Sequence, residues 1–241
     1  LTVSALTGLM AIGLPSASAQ EAPAHISVVE LFTSQGCSSC PPADRLLSQL
    51  SERAGVIALS FPVSYWDYLG WKDTLARPEN ALRQREYAAI LNSGQVYTPE
   101  VVVNGMKVCV GSDLAAIDSA LQTTAAALRK HTVPLFVRVE GDRLIIETGA
   151  APEGSKHRLG KIFVAAVRRS FSVSIGSGEN RGRTVTYTNV VRRLTSAGEW
   201  QGAPTSYAIS LGSLPKDGDM LVVFLQMDKL GPILAAAQTD G

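Results

Sequence analysis

The chain has 241 residues, a length that suits one large domain or two small ones. Hydrophobic residues make up 46% of the sequence and charged residues 18%, which is typical of globular proteins. The formal net charge of +1 excludes bulk charge as a reason to expect nucleic acid or an anionic membrane as a partner. Three cysteines are too few for a disulfide-dense secreted scaffold, so function has to be inferred from local motifs.

The N-terminal segment is largely apolar and ends in small residues. Pro15 breaks the apolar run, and Ala17-Ser18-Ala19 follows it. This pattern predicts a signal peptide over residues 1–19, cleaved after Ala19, although the basic region that normally precedes the apolar run is missing. The run is shorter than the roughly 20 apolar residues that span a bilayer, so no stable membrane insertion is expected after cleavage. We therefore expect a periplasmic or secreted protein.

Residues 25–130 alternate between strand and helix patterns. The segment HISVVELF is continuously apolar apart from Glu30, as in a strand covered on both faces. Leucines at helical spacing predict a helix over residues 38–53, with prolines only in its first turn. Asn104-Gly105 is the strongest dipeptide signal for a two-residue hairpin. The predicted order is β-α-β-α-β-β-α, with a second strand at 56–63, a second helix at 78–91 and a last helix after residue 112.

Beyond residue 130 the helical periodicity stops. Short runs that alternate apolar and polar residues are separated by Gly, Asp and Pro. This pattern predicts an all-β antiparallel sandwich of about seven or eight strands over residues 132–241, with a domain boundary near residue 131. The glycine-rich segment 176–183 is predicted to be a turn between strands. The arginine pairs of this part are predicted to lie at solvated strand ends, with an anion-binding patch as the alternative.

Four stretches of the sequence together resemble one family. In chain order they are ELFTSQGCSSCPPAD, YWDYLGWKD, QVYTPEVVVNG and VGSD. A Cys-x-x-Cys at the first strand-to-helix turn resembles the thioredoxin-like superfamily over residues 25–130. The four stretches look like a family of exported bacterial proteins catalogued as domain of unknown function 1223. The resemblance implies an α/β thioredoxin-like domain over residues 20–131, followed by an all-β accessory domain.

Cys37 and Cys40 are separated by two serines, and the pair alone fits a redox couple, a metal clip or a structural disulfide. Cys37 is expected at the N-cap of a helix that begins at Ser38, where free N–H groups and the helix dipole favour a thiolate. Because the two prolines that follow have no N–H, the backbone N–H groups that can donate to the Cys37 sulfur are those of Ser38, Ser39 and Cys40. Cys40 is then placed to resolve a mixed disulfide formed at Cys37.

Thr98-Pro99 precedes the third predicted strand, at the position of the cis-proline loop in thioredoxin-like proteins. The resemblance implies a cis bond that faces the cysteine pair, with Thr98 offering backbone hydrogen bonds to an extended substrate. The alternative is a trans proline that only starts a strand. Glu30, the one charge in the first strand, is expected either to carry a proton to or from Cys40 or to pair with a Lys or Arg.

The connection after the second strand, SYWDYLGWKD, is rich in aromatic residues. Tyr65 and Trp66 are expected either to line the cysteine pair and bind a polypeptide substrate, or to pack over the sheet edge. Cys109 is expected to be a small buried side chain, with intermolecular pairing as the alternative.

These patterns predict an exported thiol-disulfide oxidoreductase that uses Cys37 and Cys40. Its expected partners are a protein or small-molecule thiol or disulfide and an unidentified redox partner; no nucleic acid and no cofactor are expected. Zinc is not predicted, because the three histidines are scattered and supply no second ligand pair. A non-catalytic binding protein with a static Cys37–Cys40 disulfide is the first alternative. A copper-binding or copper-transfer protein is the second, because two thiolates can hold Cu(I).

Overall fold

The computed structural model describes residues 25–91 and 94–240. The predicted signal peptide, residues 1–19, lies outside these ranges. None of the helices in the described ranges has the length and hydrophobicity that crossing a membrane requires.

The first part of the described chain follows the predicted order β-α-β-α-β-β-α. Its strands are β1 (Ser27–Thr33), β2 (Val56–Pro62), β3 (Glu100–Val103) and β4 (Lys107–Val110), and its helices are α1 (Pro41–Ser51), α2 (Pro78–Ile90) and α3 (Leu114–Leu128). Short 3-10 helices occupy Asp67–Leu69 and Arg129–His131. The predicted hairpin joins β3 to β4, where Asn104 and Gly105 have φ angles of 52° and 64°. Two consecutive positive φ values are what a two-residue turn of this type requires.

The second part contains only strands and one short 3-10 helix, Leu211–Ser213. Its strands are β5 (Leu135–Glu140), β6 (Arg143–Thr148), β7 (Gly160–Ser174), β8 (Thr184–Trp200), β9 (Thr205–Ser210), β10 (Met220–Met227) and β11 (Ile233–Asp240). Seven strands agree with the predicted number.

Strands from both parts form one eight-stranded sheet, in the order β11-β10-β7-β8-β2-β1-β3-β4. β1 and β2 are parallel, and β3 and β4 run antiparallel to their neighbours. β8 joins β2 in parallel at Val190 and Ser60. This corrects the expectation of a separate sandwich, because β8, with 17 residues, is long enough to pair along β7 and also to reach β2. The remaining strands form a second sheet in the order β5-β6-β9.

Both faces of β1 are covered, as its apolar sequence predicts. All seven of its residues are buried. Val29 and Leu31 pack with side chains of α1 and α3 on one face, whereas Val28 and Phe32 pack with side chains of α2 on the other. The carboxyl end of β1 therefore emerges from the middle of a layered core.

The outer strands of the sheet curl back towards β1. Side chains of β7, β10 and β11 pack in the same cluster as α2 and β1. The N–H of Ile233 in β11 donates to the carbonyl of Asn104, in the turn between β3 and β4, at 3.0 Å. The opposite face of β7 and β10 packs against the three-stranded sheet, where Trp200 is completely buried and donates from Nε1 to the carbonyl of Gly149. Side chains of α2, β1 and the outer strands therefore share one core.

Candidate functional site

Cys37 and Cys40 lie in the loop that leads from the carboxyl end of β1 to α1. They form a disulfide, with Cα atoms 5.4 Å apart. Cys37 is 3% exposed and Cys40 is 0% exposed, so neighbouring loops cover the pair. The contacts of those loops decide what can reach the sulfur atoms.

The helix after the disulfide begins later than expected. α1 starts at Pro41, and its N-cap is Cys40. Two turns come first, in which the N–H of Cys37 donates to the carbonyl of Ser34, and the N–H of Cys40 donates to the carbonyl of Cys37. Proline suits the first helical position because it has no N–H to satisfy. The predicted N-cap position of Cys37 is therefore wrong, and the N–H of Cys40 is already bonded rather than free for a thiolate.

The segment before β3 lies directly against the disulfide. The peptide bond between Thr98 and Pro99 is cis. The carbonyl oxygen of Thr98 lies 3.7 Å from Sγ of Cys37, and the hydroxyl of Ser39 lies within 3.5 Å of both atoms. The structure therefore brings Thr98 and Pro99 to the cysteine pair, and their role in binding a substrate stays a prediction.

The aromatic loop after β2 also packs against the disulfide loop. Nε1 of Trp66 donates to Oγ1 of Thr98 at 2.7 Å. Trp66 lies on Gly36, where an added Cβ atom would come within 3.0 Å of the Trp66 Cβ atom. Tyr65 turns towards α2 and donates from its hydroxyl to Oε1 of Gln84 at 3.2 Å. Trp66 thus contacts Gly36 and Thr98, which both lie beside Cys37, whereas Tyr65 bonds to α2; the role of either side chain in binding a substrate stays a prediction.

Glu30 is completely buried on the α2 face of β1 and forms an ion pair with Arg83. Nε and Nη2 of Arg83 donate to its two oxygens at 2.5 and 3.0 Å, and the hydroxyl of Tyr87 donates to Oε1 at 2.6 Å. Of the two expectations for Glu30, the structure therefore shows the ion pair with an arginine. Both carboxylate oxygens accept hydrogen bonds from α2, and none of these bonds leads towards Cys40.

Asn180 binds the disulfide loop from the second part of the chain. It lies in the turn between β7 and β8, is 1% exposed, and donates from Nδ2 to the carbonyls of Gln35 at 2.9 Å and Cys37 at 2.8 Å. The segment is a turn, as predicted, but its contact with the cysteine loop was not predicted. Turn chemistry indicates that the chain reverses, and it carries no information about which distant loop the turn will meet.

Gln35 connects the same loop to residues 71–76. Its N–H donates to Oδ2 of Asp73 at 2.7 Å, and its Oε1 accepts from Nε1 of Trp71 at 2.8 Å. The hydroxyl of Ser177 in the β7–β8 turn donates to the carbonyl of Gly70. The connection after β2 and the β7–β8 turn therefore both hold the disulfide loop in place through hydrogen bonds, and they are also bonded to each other.

Residues 28–226 match the family model described as Protein of unknown function (DUF1223). The chain belongs to this family. It is similar to protein AGR_C_4864 of Agrobacterium tumefaciens, known from an X-ray crystal structure, with 31% identity and a TM-score of 0.78 over 90% of this chain and 95% of that chain. HBP35 of Porphyromonas gingivalis is similar in fold, with 11% identity and a TM-score of 0.61 over 91% of this chain and 76% of that chain. No curated protein matches the chain.

Two carboxyl groups of this DUF1223 protein are buried near the ends of β1 and β3. Asp44, in the first turn of α1, is 3% exposed and accepts from Oγ1 of Thr33 at 2.8 Å. Burial raises the pKa of Asp44 to about 7, and the charge of Asp73 acts in the same direction. Glu100 follows Pro99 directly, is 1% exposed, and burial raises its pKa to about 7 as well. Both groups titrate near neutral pH, and neither was predicted as a site residue.

The Asp44→Asn variant is expected to reduce the pH dependence of stability. The carboxyl ionises near 3.8 when unfolded and near 7 when folded, so its contribution is present below about pH 4 and is lost as the pH rises to about 7. Asparagine keeps an oxygen for Thr33 and does not ionise. Urea unfolding from about pH 4 to about pH 8 should give a flatter profile, and Glu100→Gln should flatten it further. Parallel profiles for parent and Asp44→Asn would contradict this assignment.

Cys109 lies on β4 of the DUF1223 protein as a buried free thiol, as predicted. Burial also raises its pKa. Within residues 25–91 and 94–240, no group of three or more His, Cys, Asp or Glu side chains is arranged to hold a metal ion. A copper site would need only the two thiolates of reduced Cys37 and Cys40, and it stays an alternative.

Proposed function

We propose that the protein is an exported thiol-disulfide oxidoreductase that acts on protein or small-molecule thiols through Cys37 and Cys40. The observation that carries the proposal is the position of the disulfide, at the end of β1 and 3.7 Å from the carbonyl of Thr98, the residue before cis-Pro99. The order and pairing of β1 to β4 support the interpretation of residues 25–130 as a thioredoxin-like domain. Export to the periplasm or beyond agrees with a disulfide, because such bonds persist in oxidising compartments.

The exchange reaction follows from the positions of the two sulfurs. A substrate thiolate attacks Sγ of Cys37, the S–S bond breaks, and Cys40 leaves as a thiolate that takes up a proton. A second thiolate of the substrate then attacks the substrate sulfur of the mixed disulfide and releases Cys37. The substrate ends as a disulfide and the protein as two thiols; the reverse sequence reduces a substrate. A separate redox partner returns the cysteine pair to its starting state.

Two segments beside Cys37 suit the binding of an extended chain. The backbone of Thr98 adjoins the sulfur, and an extended substrate bound along it would present a cysteine to Cys37. Trp66, fixed by its hydrogen bond to Thr98, supplies an aromatic surface at the same place. Tyr65 acts indirectly, by holding this loop against Gln84.

Trapping of a mixed disulfide tests the proposal. The Cys40→Ala variant keeps Cys37 as a free thiol, whose thiolate can attack a substrate disulfide and displace one substrate sulfur as a thiolate. Cys40 is then absent and cannot attack Sγ of Cys37 to release the substrate, so we expect covalent complexes to accumulate in the exporting cell and to disappear on treatment with a reductant. Cys37→Ala is the matched control and should trap nothing, because the sulfur that forms the adduct is absent. Cys109→Ala is added to both variants so that no other thiol contributes.

Burial of the disulfide favours one other function, a binding protein in which the bond is static. Cys37 and Cys40 are 3% and 0% exposed, which suits a structural bond. The reduction potential separates the two functions. A reduction potential of the Cys37–Cys40 couple close to that of its compartment supports the enzyme, because the pair can then be both oxidised and reduced there. A disulfide that resists mild thiol reductants, together with no adduct from Cys40→Ala, supports the static bond.

A further inference from the structure

A cavity of about 460 Å³ lies between α2 and strands β7 and β8, and no residue of the disulfide loop lines it. Its apolar walls come from Phe61, Phe163, Leu194 and Leu230. Leu82 of α2 also lines it and is 53% exposed. The volume falls in the range of small-molecule sites, which combine apolar walls with a few polar groups.

The cavity continues along α2 as a groove. A second cavity of about 300 Å³ shares Phe163 and Leu230 with the first and is also lined by Ile90, which is 43% exposed. Leu82 and Ile90 are eight residues apart, which places them on the same side of the helix and about 12 Å apart along its axis. The groove is therefore elongated and combines exposed apolar side chains, Leu82 and Ile90, with charged side chains around its second part. The charged residues are Glu86, Lys161, Asp228 and Lys229.

A buried cation lies in the wall of the larger cavity. Arg83 is 7% exposed, and its Nε and Nη2 atoms donate to Glu30, Tyr87 and Gln226. Its third nitrogen, Nη1, has no hydrogen-bond partner in residues 25–91 and 94–240. Because Arg83 lines the cavity, the N–H groups of Nη1 are the ones left to meet a ligand.

Further arginines surround the same end of the groove. Arg77 and Arg193 are exposed and form no salt bridge within the part of the chain that the structure describes. Arg192 also lines the cavity and pairs with Asp217 at 2.8 Å. Two exposed carboxylates, Glu79 and Glu86, share the lining. They lie on α2, whereas Arg192 and Arg193 approach from β8, so an anion can meet guanidinium groups from both sides.

We propose that this groove binds a small organic anion with an extended apolar chain, of the class of medium-chain carboxylates. The carboxylate meets Nη1 of Arg83 together with Arg77 and Arg193. The chain lies along α2 against Phe163 and Leu230. Guanidinium groups select the anionic end, because Arg and carboxylate form charge-assisted hydrogen bonds, and burial of the chain supplies the apolar contribution. This proposal is independent of the thiol chemistry, since the two sites share no lining residue.

Calorimetry with the full chain tests the groove, with decanoate as the probe. We expect one site per chain, with decanoate bound about tenfold or more tightly than either 1-decanol, which lacks the charge, or acetate, which lacks the chain. Arg193→Glu and Leu82→Asp should each weaken decanoate binding about tenfold. Both positions are exposed, so the variants should fold. If Arg193→Glu proves unstable, Arg77→Glu makes the same change at the N-cap of α2, on the other side of the groove.

Two variants outside the groove are the controls. Arg143→Glu changes an exposed arginine on β6, and Leu114→Asp changes an exposed leucine on α3; both should bind decanoate as the parent does. Equal affinity for decanoate and 1-decanol, no binding of decanoate, or equal losses in the control variants would overturn the proposal. Binding to phosphatidylglycerol vesicles without binding to free decanoate would overturn it in favour of a membrane surface.

Discussion

Replacing Arg83 with methionine should lower the free energy of unfolding by about 3–5 kcal/mol, because Glu30 would keep a buried charge without its partner. Glu30 is 0% exposed, and methionine preserves much of the apolar stem of the arginine. The variant also loses a hydrogen bond from Nη2 to Gln226 on β10, which joins α2 to the outer strands. Urea unfolding at neutral pH measures the loss.

Two comparisons separate the unpaired charge from other effects of this substitution. The double variant Glu30→Gln with Arg83→Met should regain much of the loss, since removing both charges of a buried pair is often close to neutral. Arg53→Met breaks an ion pair with Asp118 in which both side chains are about two-fifths exposed, and it should cost about 1 kcal/mol or less. If Arg83→Met costs no more than Arg53→Met, the buried pair is not a major source of stability.

The Asn180→Asp variant is expected to let small thiols reduce the disulfide about 10- to 100-fold faster than in the parent. Aspartate keeps the shape of the side chain but places a carboxylate oxygen where Nδ2 donated to the carbonyls of Gln35 and Cys37. Each buried acceptor left unsatisfied costs about 1–3 kcal/mol. Because Cys37 is only 3% exposed, a reductant can reach it only when the disulfide loop opens. Weaker bonding by residue 180 raises the fraction of molecules in which the loop is open.

The measurement is the loss of the disulfide with time at a fixed concentration of dithiothreitol. Glu179→Gln is the control, since it alters the charge of the exposed neighbouring residue by one unit and leaves Nδ2 of Asn180 in place. Urea unfolding in the same buffer distinguishes local opening from global unfolding. Reduction of Asn180→Asp at the parent rate would mean that Asn180 does not control access to Cys37.

Local patterns predict the first part of the fold well. The buried strand around Glu30, the helix that begins at Pro78 and the turn at Asn104-Gly105 each depend on neighbours in the sequence. The sheet that joins the two parts was missed because it depends on a pairing between Ser60 and Val190. These residues are far apart in the chain, and no periodicity within either strand specifies its partner.

The residues of the candidate site also fall into two groups, those that a local motif indicates and those that depend on a contact between distant parts of the chain. Cys37, Cys40, Thr98 and Pro99 belong to short motifs with a recognisable context, so the sequence indicates them and the structure brings them together. Asn180 could not be found in this manner, because its bond to the carbonyl of Cys37 spans 143 residues. The start of α1 at Pro41 was missed because backbone turns over residues 34–40 took the place of the expected first helical turn.

The hairpin formed by β7 and β8 has its length fixed at both ends. Trp200 anchors its base in the core against the three-stranded sheet, and Asn180 at its tip binds the disulfide loop. A strand advances about 3.3 Å per residue, so one residue added to each strand would carry the amide of Asn180 out of hydrogen-bonding range. The number of residues in these two strands is therefore part of the specification of the cysteine site, although none of them lies near it in the sequence.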